Sequence, residues 1–156
     1  MMSRSGMQQC LEVVLLGFAF LSLSTLSDAA TCTIISSPNV AFGSYDPMGG
    51  APVDGASSIR VSCDKNATVT LSIASGQGSF TNRLMSSPGD SLQYNLYTDA
   101  SRQTVWGDGT SGTATVALSI RGNPRTATFT VYGRIIGGQD VGVGTYNASL
   151  VMTLDF

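Results

Sequence analysis

The chain has 156 residues, a formal net charge of −2 and no histidine. With only 8 Lys and Arg it lacks the basic patch that phosphate binding needs, which argues against a nucleic acid partner. The absence of histidine excludes a Ser-His-Asp nucleophile and a histidine-containing zinc site. We therefore expect no enzymatic activity, no metal or other cofactor, and no small-molecule substrate.

The first 29 residues have the pattern of a secretory signal peptide. Arg4 precedes an apolar segment at residues 11–26, and small residues follow as far as Ala29. We expect cleavage after Ala29, export through the inner membrane and a mature domain of residues 30–156. A membrane anchor is the alternative, although the apolar segment is barely long enough to span a bilayer.

Cleavage at this point would remove Cys10 and leave Cys32 and Cys63. An exported protein with a single cysteine pair is expected to form a disulfide in an oxidising compartment. Closing a loop of about thirty residues should stabilise the fold by roughly 3.5 to 4 kcal/mol through chain entropy.

After residue 29 the chain is poor in strong helix formers and rich in Ser, Thr and Gly, which favours β-structure. Alternating apolar positions predict strand segments, and these lie, in chain order, at residues 33–35 with 40–43 as one interrupted strand, 59–63, 69–73, a short stretch within 80–85, 92–97, 105–106, 116–120, 127–135 and 145–156. Residues 45–58 and most of 75–90 contain clustered Gly, Pro and Ser and are predicted loops.

Six or seven short strands with one polar face each predict an all-β fold, an antiparallel two-sheet sandwich of immunoglobulin-like type. Jelly-roll and small-barrel topologies remain alternatives, because strand patterns indicate fold class better than connectivity.

The last twelve residues carry the most regular alternation of the chain. Their period of two is typical of a half-buried β-strand. A strand at a chain terminus has no hairpin onward, so its second neighbour must come from earlier in the chain or from another molecule. The apolar positions are Tyr146, Ala148, Leu150, Met152, Leu154 and Phe156.

Two interpretations fit Trp106 and Tyr97. The two rings could form a ligand surface, as in a secreted carbohydrate-binding module. We favour a buried Trp106, because large aromatic residues dominate the cores of β-sandwiches.

Several motifs occur together along the predicted mature chain: Val40-Ala41-Phe42-Gly43-Ser44-Tyr45-Asp46-Pro47 after Cys32, Ile59-Arg60-Val61-Ser62-Cys63, residues 92–99 with Trp106-Gly107-Asp108-Gly109, residues 131–135 with Gln139, and residues 144–156. Their combination closely resembles the spore coat protein U domain family. That family includes the pilin subunits of archaic chaperone-usher pili of Gram-negative bacteria.

The resemblance implies an incomplete sandwich whose missing strand a partner supplies, in a groove beside the terminal strand. A periplasmic chaperone first lends a strand, and the N-terminal extension of a neighbouring pilin subunit later replaces it. The implied partners are this chaperone, an outer-membrane usher and neighbouring subunits. The implied function is a structural subunit of a surface fibre, or fimbrium, that contributes to cell adhesion or biofilm formation. Two alternatives remain, a complete sandwich with an ordinary edge strand and a coat protein assembled without an usher.

The N-terminus departs from the family pattern. Pilins of this family carry ten or more residues before the first cysteine, and these serve as the donated strand. Cleavage after Ala29 leaves only two residues, so such a subunit would accept a strand without donating one, as expected at the tip of a fibre. Cleavage near Ala19 would instead free residues 20–31, whose three leucines could act as a poor donor.

Overall fold

The computed structural model describes residues 29–156, and in this range the chain forms eight β-strands and no helix. No helix within the described range is therefore long and apolar enough to cross a membrane. The strands are β1 Cys32–Ser36, β2 Val53–Cys63, β3 Ala67–Ile73, β4 Arg83–Ser87, β5 Asp90–Tyr97, β6 Val116–Ile120, β7 Thr126–Ile135 and β8 Met152–Asp155.

The strands form two antiparallel sheets. The larger sheet has the order β1-β2-β7-β5-β4 and the smaller sheet has the order β6-β3-β8. Alternation places Phe129, Val131 and Ile135 of β7 on the buried inner face, while Thr130, Tyr132 and Arg134 between them are more exposed. The predicted all-β antiparallel sandwich is confirmed.

Both sheets contribute to one core. Val61 comes from the larger sheet, Leu71 and Ile120 come from the smaller sheet, and all three are fully buried. Burying an aliphatic side chain of this size stabilises the fold by about 1.5–3 kcal/mol.

The predicted disulfide between Cys32 and Cys63 is also confirmed. It joins the first residue of β1 to the last residue of β2, and the two cysteines are register partners. The pairing continues for one further residue, because the Asp64 N–H donates to the Thr31 carbonyl at 3.0 Å. The Thr31 N–H donates to the Asp64 carboxylate at 2.7 Å. The edge strand β1 is thus held at its start by both covalent and hydrogen bonds.

The prediction of a loop over residues 45–58 is wrong for its last six residues. Strand β2 already begins at Val53 and pairs without interruption with β7 from Val53↔Ile135 to Ser62↔Thr126. Local preference at Gly55 indicates a turn, but ten consecutive pairs with a neighbouring strand override it.

The prediction of one continuous strand over residues 145–156 is wrong for its first half. Only β8 is a strand, paired with β3 in the smaller sheet. Asn147 instead pairs with Ser86 of β4, at the edge of the larger sheet. The chain therefore leaves one sheet and joins the other between these two points.

The prediction that residues 40–43 continue the first strand is wrong, because β1 ends at Ser36. Val40 and Phe42 lie against the inner face of the larger sheet, where Gly55 and Gly133 leave room for them. A Cβ at Gly133 would lie 2.6 Å from Phe42 Cζ, and a Cβ at Gly55 would lie 2.8 Å from the Ala41 carbonyl oxygen. Glycine within a strand often marks such a close approach of another backbone.

Gly133→Ala should destabilise the protein by about 1–3 kcal/mol, because the new methyl group overlaps the Phe42 ring in a packed interior. Chemical unfolding at equilibrium measures the change. Ala56→Val is the matched control. It adds volume on the exposed face of the adjacent strand β2, and we expect a change within about 0.5 kcal/mol. Unchanged stability of Gly133→Ala would mean that residues 40–42 do not pack on this sheet.

Candidate functional site

An apolar cleft of about 770 Å³ opens between the two sheets. Its floor consists of buried core residues, among them Ile73, Leu96 and Val131. One side, here called the first wall, comes from residues 37–47. The opposite side, the second wall, comes from residues 141–152.

The first wall presents unpaired main chain. Within residues 29–156, no N–H or C=O group of residues 39–45 takes part in a backbone–backbone hydrogen bond. Main-chain polar groups beside an apolar surface normally have a partner. The main chain of residues 39–45 therefore has no strand partner where it borders the cleft.

The second wall continues into β8, which is the edge of the smaller sheet. The Ala74 N–H donates to the Val151 carbonyl at 2.9 Å. This bond shows which residues of the terminal segment direct their main-chain groups toward β3. In an antiparallel pair the hydrogen-bonded positions alternate, so Met152 and Leu154 direct their main-chain groups away from β3. Their half-buried side chains pack against the core. The same residues thus combine a free main-chain edge with apolar side chains.

An apolar floor between two unpaired main-chain edges suits an extended peptide segment. Such a segment can form main-chain hydrogen bonds with the walls and direct every second side chain to the floor.

The structure brings four of the six predicted groove residues to this cleft, namely Tyr146, Ala148, Leu150 and Met152. Leu154 packs against the core next to the cleft. Phe156 lies beyond it and is 61% exposed.

Trp106 and Tyr97 do not form a common ligand surface. Trp106 is 1% exposed and lies beneath the cleft. Its ring packs edge to face on Phe129 at 5.1 Å, and its indole N–H donates to the Leu71 carbonyl at 3.3 Å. Tyr97 follows the buried Leu96 on β5, so alternation places it on the outer face of the sheet.

The Asp90 carboxylate binds the start of the second wall, before the chain crosses from the larger to the smaller sheet. Asp90 accepts the Gly142 N–H at 2.6 Å and the Ser91 N–H at 2.9 Å. The hydrogen bond from Gly142 is the main reason why the pKa of Asp90 lies below its ordinary value. The Tyr146 hydroxyl donates to the Gly142 carbonyl at 2.8 Å.

Gln139 connects the first wall to strand β5. Its side-chain amide accepts the Gln93 N–H at 2.7 Å and donates to the Gln93 carbonyl at 2.9 Å, as a neighbouring strand would. Its main-chain N–H donates to the Tyr45 hydroxyl at 2.7 Å. Sequence analysis noted Gln139 only as part of a motif, and it missed Asp90, whose place in a turn gave no further signal.

The fold is an all-β, disulfide-linked antiparallel sandwich of immunoglobulin-like type. The sequence profile of the Spore Coat Protein U domain matches residues 18–153, and the chain belongs to this family. The resemblance inferred from the motifs is therefore confirmed.

Two known proteins are similar to the chain. Protein U of Myxococcus xanthus is 34% identical over 131 residues, which cover 74% of this chain and 70% of that protein. A chain of the CsuC-CsuE chaperone-tip adhesion subunit pre-assembly complex, from archaic chaperone-usher Csu pili of Acinetobacter baumannii, has a similar fold. The TM-score is 0.57 at 21% identity, and the match covers 82% of this chain and 40% of that chain. The present chain thus spans less than half the length of this structural neighbour.

Asp90→Asn should lower stability at neutral pH, because the bonds from Gly142 and Ser91 lose their charge assistance. The folded-state pKa of Asp90 lies below its ordinary value of 3.8. Its stabilisation is therefore fully present above that value and is lost as the pH falls through the folded-state pKa. The difference in unfolding free energy between wild type and Asp90→Asn should shrink below about pH 4.

Unfolding curves at several pH values measure this difference. Asp140→Asn, in an exposed position of the same loop, is the control. A difference that stayed constant with pH would contradict the role of the Asp90 carboxylate.

Proposed function

We propose that the protein is a non-enzymatic structural subunit of a cell-surface fibre or coat, and that it accepts a β-strand from another molecule into the cleft. The observation that carries this proposal is the unpaired main chain on both sides of an apolar floor within residues 29–156. An inserted strand would pair both edges and cover the floor at once.

The energetics favour a strand over a compact ligand. Main-chain bonds to both walls would hold the strand, and its alternate side chains would set the register on the floor. Each aliphatic side chain that the floor buries would stabilise the complex by about 1.5–3 kcal/mol. Since the ordering of a flexible segment opposes binding, several such side chains are needed.

The proposed partners are a periplasmic chaperone, an outer-membrane usher and neighbouring pilin subunits. Family membership supports an exported, cell-surface protein, and the structural neighbour is itself part of a complex between a chaperone and a pilus subunit. The proposed route runs through the periplasm to the cell surface, where the fibre would contribute to adhesion or biofilm formation.

The position in the fibre depends on the mature N-terminus. The predicted signal peptide lies outside the described residues except for Ala29. The family match begins at residue 18, within that predicted peptide, which supports cleavage near Ala19. In that case residues 20–31 would be a donor strand and the subunit would lie within the fibre. Cleavage after Ala29 would place it at the tip. Mass spectrometry of the mature protein distinguishes the two.

Leu150→Asp tests strand acceptance, because it places a charge in the second wall. Ser149→Asp is the matched control, since it introduces the same charge at an exposed neighbouring position. Each variant replaces the wild type in the native host, and polymers released from the cell surface are separated on gels without boiling. We expect polymers from wild type and Ser149→Asp, and at least about a ten-fold loss for Leu150→Asp, since a buried unpaired charge opposes strand insertion. Wild-type levels of polymer from Leu150→Asp would overturn the proposal.

A further inference from the structure

Arg83, the first residue of β4, is fully buried. Its guanidinium donates to the Asn95 side-chain oxygen at 2.6 Å, to the Trp106 carbonyl at 2.8 Å and to the Ala74 carbonyl at 3.3 Å. It also lies over the Phe80 ring at 5.4 Å from the centroid. All of these partners are neutral.

A buried cation without a carboxylate partner is unusual. Among the described residues, the ion pairs of Asp54 with Arg102 and with Arg134 lie elsewhere, on side chains that are 16% to 38% exposed. Burial lowers the pKa of Arg83. Since all of its partners are neutral, the guanidinium gains no ion-pair energy. Its planar fork instead fixes the directions of several acceptors at once.

The three acceptors connect separate segments that all form the floor of the cleft. Trp106 belongs to the floor itself, and Ala74 directly follows Ile73 at the end of β3. Asn95 lies between Tyr94 and Leu96, two further floor residues of β5. One guanidinium thus joins both sheets and the Trp106 segment beneath the cleft.

We propose that Arg83 is a positioning residue that holds these three floor segments in the strand-accepting arrangement while the cleft is empty. This inference rests on the proposed function. An empty apolar cleft loses contacts across the gap, so its lining tends to move inward. A floor that is fixed beforehand reduces the ordering cost of strand insertion, because a larger fraction of the molecules is competent to bind.

Hydrogen exchange of the folded protein tests the inference without any ligand. In Arg83→Met, the Trp106 main-chain amide, which donates to the Leu96 carbonyl, and the Trp106 indole N–H should each exchange about ten-fold faster through local opening. The Phe129 amide, at the centre of the β2–β7 pairing, should keep its rate. Arg60→Met, the same change on an exposed side chain, should alter neither.

A purely structural role would give a different pattern, because a loss of global stability accelerates exchange at Trp106 and Phe129 together. That result, or an unchanged rate at Trp106, would overturn the inference. If Arg83→Met does not fold, Arg83→Lys takes its place. A single ammonium group cannot reproduce the planar fork, so the same selective acceleration at Trp106 is expected to a smaller degree.

The polymer assay in the native host separates this inference from the proposed function. Arg83→Met should give at least about three-fold less polymer than Arg60→Met, because fewer molecules present a competent cleft. A wild-type protein that forms no polymer would overturn the proposed function, and the exchange pattern would still decide whether Arg83 positions the floor. Equal polymer from Arg83→Met and Arg60→Met would overturn the inference alone.

Discussion

The pairing of main-chain polar groups is the constraint on which this structure depends. A β-sandwich is stable when its sheets cover an apolar interior and its strand edges are paired or protected. Residues 29–156 meet this requirement through most of the molecule. The first wall and the edge strand β8 border the cleft and are among the segments that lack a strand partner on one side. Under the proposed function, a single added strand would pair with both.

Directional polar contacts add to the apolar packing around the cleft. Gln139 and Tyr45 connect the first wall to β5, Asp90 holds the start of the second wall at Gly142, and Arg83 joins the floor segments from below. Hydrogen bonds of this kind specify positions, whereas apolar contacts alone would allow the sides to approach each other. The cleft can therefore stay open in a small domain with a modest core.

Strand acceptance would couple the stability of the subunit to its assembly. A partner that binds only the folded chain stabilises it by mass action. In a fibre or coat, each subunit would then gain stability from its neighbour. The disulfide stabilises a different edge, because it links β1, an edge strand of the larger sheet, covalently to β2.

The sequence alone determined the elements whose signal is local. Alternation in residues 69–73, 116–120 and 127–135 predicted β3, β6 and β7 closely, and the cysteine pair predicted the disulfide. The motifs identified the family, and the terminal alternation indicated four residues that line the cleft.

Tertiary structure decided the features that depend on distant partners. β2 begins at Val53 because β7 pairs there, although the local residues favour a turn. The terminal segment divides between two sheets, and its alternation is the same in both halves, so no local pattern marks the crossing. The path of Phe42 over Gly133 and the burial of Arg83 arise from contacts between segments far apart in the chain. Periodicity describes which face of a strand is apolar, whereas the identity of its neighbour is set only when the whole chain packs.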